Sequence, residues 1–318
     1  METKKPFSDI IGQESIKPML QYYIESNHAG NPLPSFMLVA PKGCGKTTIA
    51  KEMAKAFVTK EKVPRERRIL NCASLKKGGL SAFFKNVLVP HVNDKDVTLV
   101  MDEASELPRD VTMGLLTMLN PNKEKRNTFS YDDYEIEIDF SRQTFIFATT
   151  DPDQVHTALM DRTKRIDLED YKISDIGRMV LLNAVVEKSI LDDVASVCRG
   201  NARSAYQFSE DIGNFLKTRN ARSLNANLWN DFKKIQNVLP LGLSRIELVV
   251  LRLLNQLKDA TLTRLTAATG LSATALRRDI ELYLMKMGLM EVGVNSRRAI
   301  TAKGQAYLKD LDKQQIKA

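Results

Sequence analysis

Ala40-Pro41-Lys42-Gly43-Cys44-Gly45-Lys46-Thr47-Thr48 follows the apolar run Phe36-Met37-Leu38-Val39 and opens onto Thr48-Ile-Ala-Lys-Glu-Met-Ala-Lys-Ala-Phe57, whose apolar spacing is helical. A strand, a glycine-containing loop, Gly-Lys-Thr and a helix in that order predict a phosphate-binding loop. Gly43 and Gly45 let the backbone curl so that its N–H groups face a triphosphate. Lys46 is then placed to reach the β- and γ-phosphates, and the Thr47 hydroxyl to hold Mg²⁺. Pro41, Lys42, Gly43, Cys44, Gly45, Lys46, Thr47 and Thr48 are therefore the candidate ATP-binding residues of this loop. The first glycine of the usual pattern is Ala40 here. Its methyl is tolerable only at negative φ.

Composition bounds the rest. A chain of 318 residues predicts two or three domains, and 43% apolar with 27% charged residues is the make-up of an ordinary globular protein. No apolar run reaches about 18 residues, and Met1-Glu-Thr-Lys-Lys-Pro6 does not open a signal peptide, so a cytoplasmic protein with no membrane partner is expected. Cys44, Cys72 and Cys198 are odd in number and widely spaced, which fits a reducing compartment better than a disulfide or metal scaffold. The net charge is +8, and the stretch from Val238 onward holds 13 Lys/Arg against 7 Asp/Glu. That excess points to a polyanion partner for the C-terminal part, DNA being the commonest; a merely solvated basic face is the plain alternative.

Two further strand patterns end in polar residues. Val97-Thr-Leu-Val-Met-Asp102-Glu103 is a buried strand closing on two carboxylates. Asp102 is placed for the Mg²⁺ shell together with Thr47, and Glu103 for orienting the attacking water. Gln143-Thr-Phe-Ile-Phe-Ala-Thr149-Thr150 is the third strand, and either threonine can hydrogen-bond the γ-phosphate or the water. Ligands of parallel sheets sit at the carboxyl ends of the strands, so the three segments are expected to meet at one site. Arg162, after a short helical segment, and Arg203, at the start of another helix, are candidates for stabilising the charge that spreads over a transferring phosphoryl group. Taken singly, each reads more readily as a surface arginine.

In sequence order these pieces resemble the AAA+ ATPases, and within them the RuvB-type motors that drive Holliday-junction branch migration. Phe7-Ser-Asp-Ile-Ile-Gly-Gln13 is similar to that family's opening motif, whose apolar residues, here Ile10 and Ile11, border the adenine. Asp102-Glu103 resembles the Walker B pair and Ala148-Thr-Thr150 the end of the sensor 1 strand. Asp161-Arg162 resembles the arginine finger that acts in trans on the neighbouring subunit, Leu168-Glu-Asp-Tyr171 the entry to the helical lid, and Arg199-Gly-Asn-Ala-Arg203 the sensor 2 motif. Ala40, Ala104-Ser105 and Met160 depart from the pattern, which marks a divergent relative, phage- or plasmid-borne in one reading. The resemblance implies ATP with Mg²⁺, and a homo-oligomeric ring, by family habit a hexamer.

The fold expected is α/β: a P-loop parallel sheet flanked by helices over 1–170, a helical lid over 171–238 and a winged helix over 239–318. Between the second and third strands, Thr128-Phe-Ser-Tyr131 and Tyr134-Glu-Ile-Glu-Ile138 alternate about Asp132-Asp133, predicting a β-hairpin within about 124–140. RuvB-type motors carry a protein-docking hairpin here; a hairpin covering its own sheet is the alternative. Near the C-terminus the helices Ser244-to-Lys258, Leu262-to-Thr269 and Ser272-to-Met287 precede two short strands joined at Asn295-Ser296. Arg277 and Arg278 on the third helix, with Arg297 and Arg298 at the wing tip, are the candidate DNA-binding residues. They would meet phosphate rather than base edges; a winged helix that docks protein is the alternative. The leading reading is an ATP-driven motor on duplex or junction DNA. The alternative is an AAA+ helicase, or a clamp loader, helicase loader or replication initiator acting as an ATP switch on DNA. A non-catalytic ATP-binding scaffold is disfavoured because Glu103, Arg162 and Arg203 are all present.

Overall fold

The computed structural model describes residues 6–93, 95–119, 126–131, 134–139 and 142–316. The chain divides into two compact units, 1–226 and 227–318.

The first unit is built on five strands: β1 (Phe36–Val39), β2 (Glu66–Asn71), β3 (Val97–Asp102), β6 (Thr144–Thr149) and β7 (Lys164–Asp167). They run parallel in the order β2-β3-β6-β1-β7. Side chains alternate between the faces, as strand geometry requires. Phe36, Leu38, Val100, Ile146 and Ala148 join one buried cluster with Ile49 and Met53 of helix Lys46–Ala56. Met37, Val39, Leu99, Met101, Phe145 and Phe147 join the other, with Val111 and Leu115 of helix Arg109–Met118. The expected three-layer α/β arrangement is thus present. β2 and β7 were not foreseen: β2 is an exposed edge strand carrying Arg67 and Arg68, so its apolar signal is weak.

Two more strands, β4 (Arg126–Tyr131) and β5 (Tyr134–Asp139), pair antiparallel, with Phe129 opposite Ile136 and Tyr131 opposite Tyr134. The expected hairpin is there; its turn residues Asp132 and Asp133, and positions 124, 125 and 140, lie outside the described residues.

Helices Ile173–Val180, Lys188–Val197 and Ala202–Thr218 follow within the first unit. The first begins after Lys172 with no side-chain cap, rather than on the anticipated Ser174. The third is capped by Asn201, whose side chain accepts from Ser204 N, which satisfies one otherwise unpaired helix amide.

In the second unit, helix Arg245–Leu257 starts at a reciprocal capping box between Ser244 and Glu247, and helix Leu262–Thr269 ends on Gly270 at φ 72°. The third helix runs from Ala273 to Lys286 and widens to π geometry over Leu276–Glu281. Strands β8 (Asp259–Ala260), β9 (Met290–Val292) and β10 (Arg298–Ile300) form a sheet in the order β8-β10-β9. A last helix, Ala302–Ile316, had no counterpart in the sequence reading. The winged-helix plan is otherwise as expected.

Glu281 and Arg298 tie the third helix to the wing. Both side chains are buried, at 4% and 6% exposure, and two bonds join them: Nε to Oε1 at 2.8 Å and Nη2 to Oε2 at 3.1 Å. Removing one partner strands a charge in the interior, which typically costs about 3–5 kcal/mol, whereas an apolar pair of like volume is often neutral. Arg298→Ala is accordingly expected to lower the unfolding free energy of the C-terminal unit by that amount, and its denaturant midpoint in proportion. Glu281→Leu combined with Arg298→Met should restore most of it. Equal midpoints for Arg298→Ala and wild type in urea unfolding followed by circular dichroism would refute the assignment.

Candidate functional site

The strand order brings β3, β6 and β1 side by side, with Val39 in register with Thr149 and Met101 with Phe147. Their carboxyl ends therefore finish level, and a cavity of about 500 Å³ opens there. Lys42, Gly43 and Gly45 through Thr48 form its floor; Asp102 and Glu103 line it from β3, Thr149 and Thr150 from β6, and Arg203 from the helix Ala202–Thr218. Segments more than 150 positions apart in sequence, from Lys46 to Arg203, thus face one space.

The loop is shaped for phosphate. Gly43 and Gly45 adopt φ 83° and 87°, in the left-handed region, while Ala40 does not. The Lys46 ammonium donates to Ala40 O at 2.7 Å and Pro41 O at 2.9 Å, which braces the loop from inside. Burial holds this amine below the usual lysine range, partly offset by Cys44, Asp102 and Asp151. Thr47 Oγ1 donates to Asp102 Oδ2 at 2.7 Å. A hydroxyl beside a carboxylate at the mouth of such a loop is the oxygen pair a hard divalent cation takes, so the residues fit Mg²⁺ with a triphosphate.

Glu103 sits at φ 56°, ψ 50°, an uncommon conformation for a non-glycine residue, and its Oε2 accepts from Asn71 Nδ2 at 2.9 Å. Asn71 ends β2, opposite Asp102 in the sheet, and its Oδ1 accepts from Ala73 N at 2.9 Å. Sequence reasoning missed Asn71; the only signal was a polar residue ending a strand too charged to recognise. Thr149 is fully buried and its hydroxyl accepts from Asp151 N, while Thr150 donates to Asp151.

The lid helix is docked on the loop. Ala202 N donates to Gly43 O at 3.1 Å, and Asn201 Nδ2 to Lys42 O at 3.2 Å. Tyr171, also unforeseen as a contact, packs close to Gly12 and Gly45, where any added Cβ would fall within 2.9 Å of its ring or hydroxyl. Gln13 brackets the same segment, donating to Glu169 O and accepting from Glu169 N.

Other expected residues lie elsewhere. Ile10 and Ile11 are half-buried and do not line the cavity; Ile10 packs against the cluster of Phe36 and Ile49. The Cys44 side chain is buried in that cluster too, and Cys44 does not line the cavity. The Cys72 thiol is pushed up to about 12 by burial, reinforced by Asp102 and Glu103, and is inert. Arg162 is outside the cavity; its Nη1 donates to Ala158 O at 2.9 Å and its Nε is buried without a hydrogen-bond partner.

The four candidate DNA-binding arginines divide. Arg277 and Arg278 are exposed on the third helix, Arg278 paired with Asp279, while Leu276, Ile280 and Leu284 face the core. Arg297 is held by Asp259. Arg298 corrects the sequence reading: it is not a tip residue but a buried one, consumed by Glu281 and by Ser296 O, and has no route to phosphate.

Comparisons with known proteins agree with this geometry. The family described as "ATPase family associated with various cellular activities (AAA)" matches residues 36–171, and the "RuvB C-terminal winged helix domain" matches residues 240–309. A Holliday junction branch migration complex subunit RuvB from Prochlorococcus marinus (strain NATL2A) is 24% identical over 96% of this chain and 86% of its own length. The subunit of the same name from Thermotoga maritima is 23% identical over 96% and 91%. The solved Thermotoga maritima RuvB Holliday junction branch migration motor superposes with a TM-score of 0.73 at 21% identity, covering 96% of this chain and 97% of that one.

The lid contact makes Gly43 testable. A Cβ there would lie 2.1 Å from Asn201 Oδ1, and alanine in this conformation costs about 1–2 kcal/mol besides. Gly43→Ala is expected to weaken ATP binding at least tenfold in calorimetric titration. Adding Asn201→Gly, a mild change at a cap, should recover part of the loss by removing the clash. No gain in affinity from the second substitution would mean that the lid does not rest on the loop.

Proposed function

We propose that this chain, a divergent AAA+ ATPase of the RuvB type, is an ATP-hydrolysing motor that acts on duplex or junction DNA as an oligomeric ring. The observation that carries the reading is the convergence of Lys46, Thr47, Asp102, Glu103, Thr149 and Arg203 on one cavity, in a chain that continues into a RuvB-type winged helix. That winged helix also favours the motor over the clamp-loader alternative. Hexameric assembly, action on Holliday junctions, a protein partner at the β4–β5 hairpin and a cytoplasmic setting are the finer parts of the proposal.

The roles follow from position. Backbone amides of the loop from Pro41 to Thr48 receive the phosphates, and Lys46 leaves Ala40 O and Pro41 O for the terminal oxygens. Thr47 and Asp102 hold Mg²⁺, which when bound neutralises charge on the phosphate oxygens. Glu103, released from Asn71, orients the attacking water. Arg203 reports the γ-phosphate to the lid, and Arg162 completes the neighbouring subunit's site. Ile10 and Ile11, as the family likeness implies, would border the adenine outside the cavity that receives the phosphates. Lid movement through the nucleotide cycle then drives translocation.

Glu103→Gln is expected to bind ATP normally while turnover falls by at least about 10², read by nucleotide titration and phosphate release. Wild-type turnover should rise on adding branched or duplex DNA; a flat response sinks the motor reading. Arg162 is checked by mixing. Lys46→Ala and Arg162→Ala are each expected to be inactive alone. Random mixed rings regain about a quarter of the working interfaces, because one variant supplies an intact loop and the other an intact finger. No recovery on mixing excludes Arg162 as a residue acting in trans.

A further inference from the structure

The wing tip presents an apolar side chain where the sequence suggests cations. Val294 is 84% exposed, more than any other large apolar residue among those described. It opens the turn Val294–Ser296, in which Asn295 and Ser296 both take left-handed conformations at φ 56° and 55°. Such conformations are costly for non-glycine residues and persist only where the surroundings impose them. Here the surroundings do. Gly293 N donates to Arg297 O at 2.8 Å across the base of the turn, and Arg298 Nη1 donates to Ser296 O at 2.6 Å from below. The Arg298 guanidinium is in turn fixed by the buried Glu281. Arg297 folds back on Asp259, with its Nε 2.9 Å from Oδ1. Both arginines hold the tip from behind, and what projects is Val294 with the Asn295 amide.

We propose that the wing engages DNA as an uncharged wedge, Val294 entering the minor groove against a base step. Asn295 supplies a polar contact to the groove edge, and the exposed Arg277 of the third helix meets the phosphates. A small apolar residue on a rigid turn can part stacked bases without having to neutralise phosphate. This assignment rests on the DNA reading above and adds the contact chemistry of the wing.

Fluorescence anisotropy with a duplex and a four-way junction, each over a series of salt concentrations, separates the contributions. Val294→Ser, an exposed position that leaves the fold intact, is expected to weaken binding by about threefold to tenfold with an unchanged salt slope. Val294→Leu should bind as wild type. Arg277→Ala should reduce the slope. With 2-aminopurine placed along the duplex, wild-type binding is expected to raise fluorescence at the contacted step, and Val294→Ser to abolish that rise. Wild-type affinity for Val294→Ser, or no 2-aminopurine response on wild-type binding, overturns the wedge while leaving a DNA-binding motor standing. Failure of the wild-type chain to bind either DNA would instead remove the motor reading itself.

Discussion

The hydrogen bond from Thr47 to Asp102 joins two segments 55 residues apart and depends on every layer beneath it. Thr47 is held at the start of its helix by a loop that needs two glycines at positive φ. Asp102 is held at the end of a strand buried on both faces. Neither position would be fixed if β1 and β3 were not separated by the single strand β6, whose own end carries Thr149 and Thr150. A parallel sheet places all its carboxyl ends on one edge, and here the three central strands each deliver a different chemical group to that edge. Catalytic geometry is therefore a consequence of strand order, and strand order is a consequence of which runs are apolar on both faces.

The internal hydrogen bonds of the loop set the terms on which a nucleotide enters. Lys46 is satisfied by two carbonyls, Glu103 by Asn71, and the carbonyls of Lys42 and Gly43 by the head of the lid helix. A buried ammonium or amide left unpaired is expensive, so these internal partners hold the shape of the loop. The same bonds must be exchanged, not merely supplemented, when phosphates arrive. Because Asn201 and Ala202 sit directly before Arg203, any displacement of the loop carbonyls is felt at the start of that helix. A ligand shifts such an equilibrium only as far as its affinity for the two arrangements differs. The triphosphate and diphosphate differ at the γ position, which is the end on which the proposed role of Arg203 bears.

Much of this was legible before any coordinates. The glycine loop, the β3 acids and the β6 threonines each sit at a switch from apolar run to polar residue, and that switch marks a strand end. The helices of the winged-helix unit showed through Ser244, Gly270 and Gly288, because caps and breakers act locally. What escaped detection depends on distant partners. Asn71 looks like any polar residue until β3 is laid beside it. Tyr171 is informative only once Gly12 and Gly45 are seen to leave room for its ring. Arg298 reads as a basic tip residue until Glu281, 17 positions earlier, turns the same way on the helix. Alternation along β10 could have hinted at this, since Arg298 shares a face with the buried Ile300.

That last case changes what the basic C-terminal region means. The excess of Lys and Arg after Val238 is unaltered by internal pairing, since each pair removes one charge of either sign. Its location does change. Glu281 takes up the buried Arg298, and Asp259 pairs with Arg297 at the surface as Asp279 does with Arg278, while Arg277 is exposed on the third helix. A long-range field reflects net charge and draws a polyanion from any direction. Contact depends on where guanidinium groups can touch phosphate, and under the proposed DNA reading that place is the exposed Arg277 of the helix. A helix that offers Arg277 and a tip that offers Val294 suit the proposed motor, which would grip DNA of any sequence and let go again. Two charged elements would add phosphate contacts and slow release, whereas an apolar tip adds shape complementarity without deepening the salt-dependent hold.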